Sequence, residues 1–236
     1  MSIFKFYQSY IDLIDKDYIY RKNGLSEFDN TLKQSKFRNY LFTKMGYTYE
    51  SILKVVNMMR CAIIKPQRLL TDNDNFYLAC DMITNTYYIC YRELMMIDID
   101  FYKKSITGVE ENNLEDIIEL FMNDVKDNPD NCWSLYKTRG GIHAFLISKK
   151  MSYNSKESVD IMIKLKCDFN YIIYSYLRGW SVRLNRKQKE EKVITDFICQ
   201  IGNPLKIDRS LVKLVDLHIR LIKVFENEEP SLMYGE

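Results

Sequence analysis

Hydrophobic periodicity divides the first hundred residues into a helical part and an extended part. From Ser26 to about Met59, apolar residues recur every three or four positions with a break near Gly46, which predicts two helices. The next forty residues contain short runs rich in aromatic and β-branched side chains, separated by turn-forming segments such as TDND. Four strands are therefore predicted, at RCAIIK, FYLAC, TNTYYICY and ELMMIDIDF.

The second half of the chain mixes both kinds of pattern. LEDIIELFMNDVK carries one apolar helical face, formed by Leu114, Ile117, Ile118, Phe121, Met122 and Val125. WSLYKT and GIHAFLISKK predict two strands joined across a glycine turn, and Asn154 or Ser155 is expected to cap a helix that runs to about Tyr176. The remaining predictions are strands at WSVRLNR and ITDFICQIG and a last helix from Asp208 to Phe225, with His218 packed at the edge of its apolar face.

This irregular order of helices and strands predicts an α+β fold with mixed or antiparallel sheets flanked by helices. The 236 residues include only 8 glycines and 4 prolines, with no repeat and no low-complexity linker, so a single domain is expected. We divide it into a mainly helical lead (1–59), a core (60–202) and a C-terminal helix and tail (203–236).

Composition narrows the classes of function. Lys plus Arg number 34 against 32 for Asp plus Glu, so any contact with nucleic acid must come from a local patch. The six cysteines form no CxxC pair and lie in apolar segments, which indicates reduced, buried thiols in an intracellular protein. No window approaches the roughly 20 apolar residues that span a bilayer, so we expect a soluble protein with no membrane partner.

Two aspartates end the apolar run ELMMIDIDF. Alternate side chains of a strand share a face, so Asp98 and Asp100 are expected to point the same way, roughly 7 Å apart, while Ile97 and Ile99 face the core. Two carboxylates so placed repel each other, and a divalent cation reverses the sign of that energy. The pair therefore predicts a metal site, and a solvated strand end is the alternative.

A second candidate constellation is YKTRGGIHAFLIS. Alternation places His143 mid-strand on one face, directly after Lys137, Thr138, Arg139 and two glycines. Cationic side chains and free backbone amides in such a turn are suited to bind phosphate. A histidine packed for structural reasons is the alternative.

The third candidate is the strand in RGWSVRLNRKQK. Trp180 and its alternate neighbours are expected to face the core, while Arg183, Asn185 and Lys187 line the opposite face. Such a row is suited to bind phosphates, and an exposed basic edge that discourages strand aggregation is the alternative.

The order of these three motifs resembles that of the archaeo-eukaryotic primase superfamily, which has the primase-polymerase fold. The motifs are a strand ending in DxD, then a small-x-His strand, then a strand with RLxxK. The resemblance implies an RRM-like catalytic core in which Asp98 and Asp100 hold the catalytic metal. It implies further that Gly141–His143 contacts the phosphates of the incoming nucleotide and that Arg183 and Lys187 also engage that nucleotide.

The resemblance extends from Arg60 to Gly202 and departs from the family at one point. Members of the family carry a third acid on a strand after the histidine motif, whereas LKCDFNYIIYSYLRGW offers only Asp168, which the pattern places near a helix. Asp168 is therefore the candidate third metal ligand.

The resemblance implies template-directed nucleotidyl transfer, as in a DNA primase, with two Mg²⁺ or Mn²⁺ ions as cofactors. The implied partners are nucleoside triphosphates, a single-stranded template and a helicase or other replication subunit, in the cytoplasm, the nucleus or a viral replication compartment. A non-catalytic descendant that binds nucleic acid or plays a structural role is the main alternative. A metal-dependent glycosyltransferase, whose DxD holds a nucleotide sugar, is a second.

Overall fold

The computed structural model of the chain describes residues 40–59, 67–81, 85–105, 108–185 and 196–225. The predicted strand RCAIIK, most of the helical lead and Lys187 lie outside the described residues.

Five α-helices are described: α1 (Tyr49–Met59), α2 (Leu114–Asp127), α3 (Lys156–Lys164), α4 (Phe169–Arg178) and α5 (Arg209–Phe225). Residues 40–45 are also helical, and Gly46 ends that segment with a φ of 67°, its N–H donating to the carbonyl of Phe42. A positive φ suits glycine because it has no Cβ, so the predicted break between two helices is confirmed. None of these helices is long and apolar enough to cross a membrane.

Ten strands are described: β1 (Gln67–Asp72), β2 (Phe76–Asp81), β3 (Thr86–Tyr91), β4 (Met96–Asp100), β5 (Tyr102–Ser105), β6 (Gly108–Glu111), β7 (Cys132–Lys137), β8 (Gly141–Leu146), β9 (Trp180–Arg183) and β10 (Asp196–Gly202). Sheet I has the order β1-β2-β3-β9 and sheet II the order β10-β7-β8-β4. All pairs are antiparallel, and β5 and β6 form a separate hairpin. The expected α+β fold with antiparallel sheets flanked by helices is confirmed.

One hydrophobic core draws on both sheets. Helix α5 packs against both, because the His218 ring lies 5.4 Å from the Phe145 ring of sheet II and 6.3 Å from the Tyr91 ring of sheet I. The Tyr91 hydroxyl also donates to the carbonyl of Leu214 in α5. On the other side of sheet II, Trp133 packs edge-to-face against Phe121 of α2.

The structure differs from the sequence predictions in its helices. The helix expected up to Tyr176 is two helices, because Lys166 adopts a φ of 54° after α3 and Asp168 then caps α4. Ser155 is the N-cap of α3, one of the two predicted cap residues. In α2, Met122 is exposed and Asp124 is buried instead. His218 is fully buried in α5 and does not lie at an edge.

Two strand regions were not predicted, β1 and the β5–β6 hairpin. QRLLTD and YKKS lack the alternation of apolar and polar residues that identifies a half-buried strand, and the described part of β1 is mostly exposed at a sheet edge. Four of the five described cysteines are buried, as predicted.

Candidate functional site

The acidic pair and the histidine lie on two neighbouring strands of sheet II. In the β4–β8 register, Asp98 is opposite His143 and Asp100 is opposite Gly141. Ile97 and Ile99 are buried, whereas both aspartates are partly exposed, so the predicted division of faces is confirmed. The three predicted side chains therefore converge on one face of one sheet.

The Asp98–His143 pair is a close cross-strand contact. The backbone of Asp98 turns away from β8, because its N–H lies 3.4 Å from the Cys167 sulfur and its carbonyl accepts from the Asp168 N–H at 2.6 Å. Opposing residues that exchange no backbone hydrogen bonds have the closer side chains in an antiparallel ladder. His143 Nε2 accordingly lies 3.6 Å from Asp98 Oδ1, with the two side chains 20% and 28% exposed.

The glycine of the small-x-His motif has a structural role in this pairing. A Cβ on Gly141 would lie 1.8 Å from the carbonyl oxygen of Ile99, which no real side chain tolerates. Only glycine at this position allows β8 to approach β4 next to Asp100. A Cβ on the preceding Gly140 would lie 3.8 Å from Asp100 Oδ1, so the turn itself borders the acidic pair.

Asp168 approaches β4 on the edge opposite β8, next to Asp98. It lies directly before α4, as the sequence predicts, and its Oδ1 accepts from the Tyr171 N–H at 2.9 Å as the N-cap of that helix. Its own N–H bonds the Asp98 carbonyl, so a third acid approaches the pair. It does so from a helix start and not from a strand.

Asp100 and Asp168 act electrostatically on Asp98. Burial raises the pKa of Asp98 to about 8, and the negative charges of Asp100 and Asp168 act in the same direction. Burial lowers the pKa of His143 to about 4. Without a bound cation, the Asp98–His143 contact is therefore between largely uncharged groups near pH 7.

Oxygen ligands are the donors that Mg²⁺ and Mn²⁺ prefer, and the two strand aspartates supply them on one face. A cation would also favour the charged form of Asp98, which burial and the neighbouring acids disfavour. Among the described residues, however, no group of three or more His, Cys, Asp or Glu side chains is arranged to hold a metal ion. Asp98 and Asp100 share one face of β4, and one carboxylate oxygen of Asp168 is engaged in a helix cap.

The predicted phosphate-binding turn joins β7 to β8. Thr138 N–H donates to the Gly141 carbonyl, and the Thr138 hydroxyl accepts from the Gly141 N–H. Arg139 is exposed at the tip of the turn. Lys137 pairs with Ile142, so strand alternation assigns its side chain to the face opposite His143. Lys137 therefore lies on the face opposite the acidic pair, whereas the Gly140 backbone borders Asp100.

The basic strand belongs to the other sheet. Arg183 lies at the end of β9 in sheet I, opposite Tyr88, and its Nη2 donates to Thr86 Oγ1 at 2.8 Å. Val182 and Leu184 are buried, as predicted. The expected exposed row is wrong at Asn185, which is buried because its side chain bonds the backbone of Tyr87 and Asn85 at the end of β3.

Two residues that position the site were not found from the sequence. Asn112 donates from its side chain to the Asp100 carbonyl and from its backbone to the Phe101 carbonyl, which holds the end of β4. Cys167 lies against the Asp98 N–H through its sulfur. Neither residue belongs to a local pattern, since each contact depends on tertiary structure.

Comparisons of the chain with protein-family models, with curated proteins and with solved structures each gave no significant match.

Proposed function

We propose that the chain catalyses template-directed nucleotidyl transfer at the Asp98–Asp100 pair, as in a primase-polymerase. The observation that carries the proposal is the register that puts Asp98 opposite His143 and Asp100 opposite Gly141 on one face. The resemblance to the primase superfamily implies that Asp98 and Asp100 bind metal and that the strand of His143 binds phosphate. The proposal therefore requires that the two strands be neighbours.

The residues of the site divide into two roles in this proposal. Asp98 and Asp100 bind Mg²⁺ or Mn²⁺, which supplies a lower pKa for the attacking hydroxyl and neutralises charge on the triphosphate. His143 is neutral near pH 7, because burial lowers its pKa, and its imidazole donates a hydrogen bond to a phosphate oxygen from one strand spacing away. Arg139 and the turn amides bind the outer phosphates.

Positioning and charge stabilisation are the terms that dominate this kind of reaction. Antiparallel pairing of β4 with β8 fixes the distance between the aspartates and the imidazole, and Asn112 fixes the end of β4. Nucleoside triphosphates and a single-stranded template are the proposed substrates. A helicase or another replication subunit is the proposed partner.

The direct test is incorporation of labelled nucleotides on a single-stranded template, with Mg²⁺ or Mn²⁺ and with or without a primer. Deoxy- and ribonucleotides are run in parallel. Incorporation that needs the template supports the proposal. Absence of incorporation under every combination contradicts catalysis by this chain alone.

A non-catalytic descendant of the same fold is the second candidate, and a specific observation favours it. The described residues hold no set of three metal-ligating side chains, and the third acid is engaged as a helix cap. This candidate predicts that the melting temperature rises with single-stranded nucleic acid but not with Mn²⁺ and a deoxynucleoside triphosphate, since only ligands of the native state raise it. Mn²⁺ with a nucleotide sugar, the ligand of a glycosyltransferase, serves as the specificity control.

A further inference from the structure

The Asp98–His143 pair is the beginning of a row that crosses the whole of sheet II. Opposite His143 on β7 is Tyr136, and opposite Tyr136 on β10 is Phe197. Directly opposed residues of neighbouring strands point to the same face of a sheet. The acidic pair, the imidazole, a phenol ring and a phenyl ring therefore follow one another across four consecutive strands.

A β-bulge puts Phe197 into this row. Phe197 pairs with Tyr136 and Cys199 pairs with Leu135, so Ile198 is an extra residue in β10. Without the bulge, Ile198 would oppose Tyr136, and Phe197 would oppose Lys137 on the other face. Bulges commonly redirect a side chain next to an active site.

The Phe197 ring is open to solvent although it is large and apolar. The residue is 59% exposed. Its ring meets the Tyr136 ring edge-to-face at 5.6 Å, and the Tyr136 ring meets the buried Phe145 ring in the same way at 5.9 Å. Phe197 is thus supported by two successive aromatic contacts that reach the core, which fixes its orientation and leaves the rest of the ring uncovered.

From this row we propose that Phe197, supported by Tyr136, stacks on an unpaired base of a single-stranded nucleic acid. The proposal rests on the proposed function and locates the strand that would serve as template. Phe197 lies two strand spacings from His143 and three from Asp98, or about 14 Å, on the same face, so a nucleic-acid strand stacked there can extend along this face towards the acidic pair. Base–aromatic stacking needs one ring with an open surface and no particular base.

The surroundings of Phe197 favour a base over a protein partner. Gln200, which opposes Ser134 on the same face as Phe197, is exposed and polar, and Phe197 is the one large apolar side chain of β10 that is exposed. A specific protein interface typically buries about 800 Å² on each partner around an apolar centre. A single exposed ring of β10 in the same row as the proposed phosphate-binding histidine is suited to a nucleotide base.

Binding of labelled single-stranded oligonucleotides by the full chain tests the proposal. Fluorescence anisotropy is measured with oligo(dT) and oligo(U) in EDTA, because stacking needs no metal. Phe197→Ala is expected to weaken binding by roughly 5- to 150-fold, the range measured for loss of one base–aromatic stack. Phe197→Trp should restore binding, whereas Phe197→Leu should not, although leucine keeps an apolar side chain.

Met122→Ala, on an exposed apolar residue of α2, is the matched control and should leave the affinity unchanged. Three results would each overturn the proposal. They are equal binding by the wild type and Phe197→Ala, full recovery of binding with Phe197→Leu, and no oligonucleotide binding by the wild type. The proposed catalytic site is tested separately by the melting shift with Mn²⁺ and a triphosphate. A normal shift together with unchanged oligonucleotide binding in Phe197→Ala would refute the stacking site and leave the catalytic proposal standing.

Discussion

Asp98 and Asp124 are two carboxylates with opposite surroundings. Asp124 is completely buried, but its Oδ2 accepts from Asn131 at 2.8 Å and from the Trp133 indole N–H at 2.9 Å. Its Oδ1 accepts from the Asn128 side chain at 3.1 Å. The Asp98 side chain is only partly buried, yet that burial and then the charges of two further acids raise its pKa to about 8.

The comparison shows two roles for a carboxylate. Asp124 stabilises the fold through its hydrogen bonds, whereas nothing in the described fold offsets the cost of a negative charge on Asp98. Hydrogen bonds from Asn128, Asn131 and Trp133 satisfy both carboxylate oxygens of Asp124, which ties the end of α2 to β7. Burial, and then the neighbouring Asp100 and Asp168, disfavour the charged form of Asp98, which costs stability unless a cation binds. Perturbed carboxylates of the second kind concentrate at functional sites.

The largest expected effect is the loss of activity when either strand aspartate is neutralised. Asp98→Asn and Asp100→Asn each remove a negative ligand and keep the side-chain shape. Nucleotide incorporation should fall by about 100-fold or more, equivalent to about 2.7 kcal/mol of transition-state stabilisation. The free energy of unfolding in EDTA should stay the same or rise slightly, because a neutral amide avoids the cost of holding a half-buried carboxyl beside other acids. Incorporation rates and denaturant unfolding curves measure the two quantities.

Asp124→Asn is the matched substitution at the satisfied carboxylate, and it should have the reverse effect. The new amide NH₂ must face at least one donor among Asn128, Asn131 and Trp133. A buried donor left without an acceptor costs about 1–3 kcal/mol, so we expect a loss of about 2 kcal/mol in the free energy of unfolding. Activity per folded molecule should be retained. The comparison fails if both Asp→Asn changes shift stability in the same direction.

The sequence predicted the features of the site that depend on local alternation. Asp98 and Asp100 share a face because they are two residues apart on a strand, and the burial of Ile97 and Ile99 follows from the same rule. The sequence placed Asp168 near a helix, where it caps α4. Its hydrogen bond to the Asp98 carbonyl is a tertiary contact that no local pattern contains.

Local patterns likewise could not predict which sheet each strand joins. The strand that carries Arg183 was predicted, but nothing in WSVRLNR indicates that it pairs with β3 and joins sheet I. The same pairing explains why Asn185 is buried, since its side chain closes the end of β3. The row from Asp98 to Phe197 also depends on a bulge that leaves no clear mark in ITDFICQIG.

His218 is a polar side chain of a third kind, because the hydrophobic core encloses it completely. Neither ring nitrogen has a hydrogen-bond partner among the described residues, and Tyr91, Phe145 and α5 surround the ring. Burial lowers its pKa to about 3, and the charge of His143 acts in the same direction.

The unfolded chain therefore binds a proton at His218 below about pH 6.5, while the folded chain does not until about pH 3. Stability from this residue is fully present above pH 6.5 and is lost as the pH falls towards 3. Between pH 7.5 and pH 5.5 the loss should be about 1.4 kcal/mol. His218→Leu should reduce the change by that amount. An identical pH slope in both proteins would contradict a neutral buried imidazole.

The smallest expected effect is that of a substitution at Arg183, which tests whether sheet I takes part in triphosphate binding. Arg183→Gln removes the positive charge and keeps a donor for Thr86 Oγ1, so stability should change by less than about 0.5 kcal/mol. If Arg183 attracts the triphosphate, affinity measured in Mn²⁺ at low salt should fall up to about fivefold, the range of a partly screened ion pair. The difference should shrink at high salt, because screening weakens such attraction. Thr86→Val is the control, since it removes the hydrogen bond and leaves the charge. Equal triphosphate affinity for Arg183→Gln and the wild type at low salt would confine the phosphate site to sheet II.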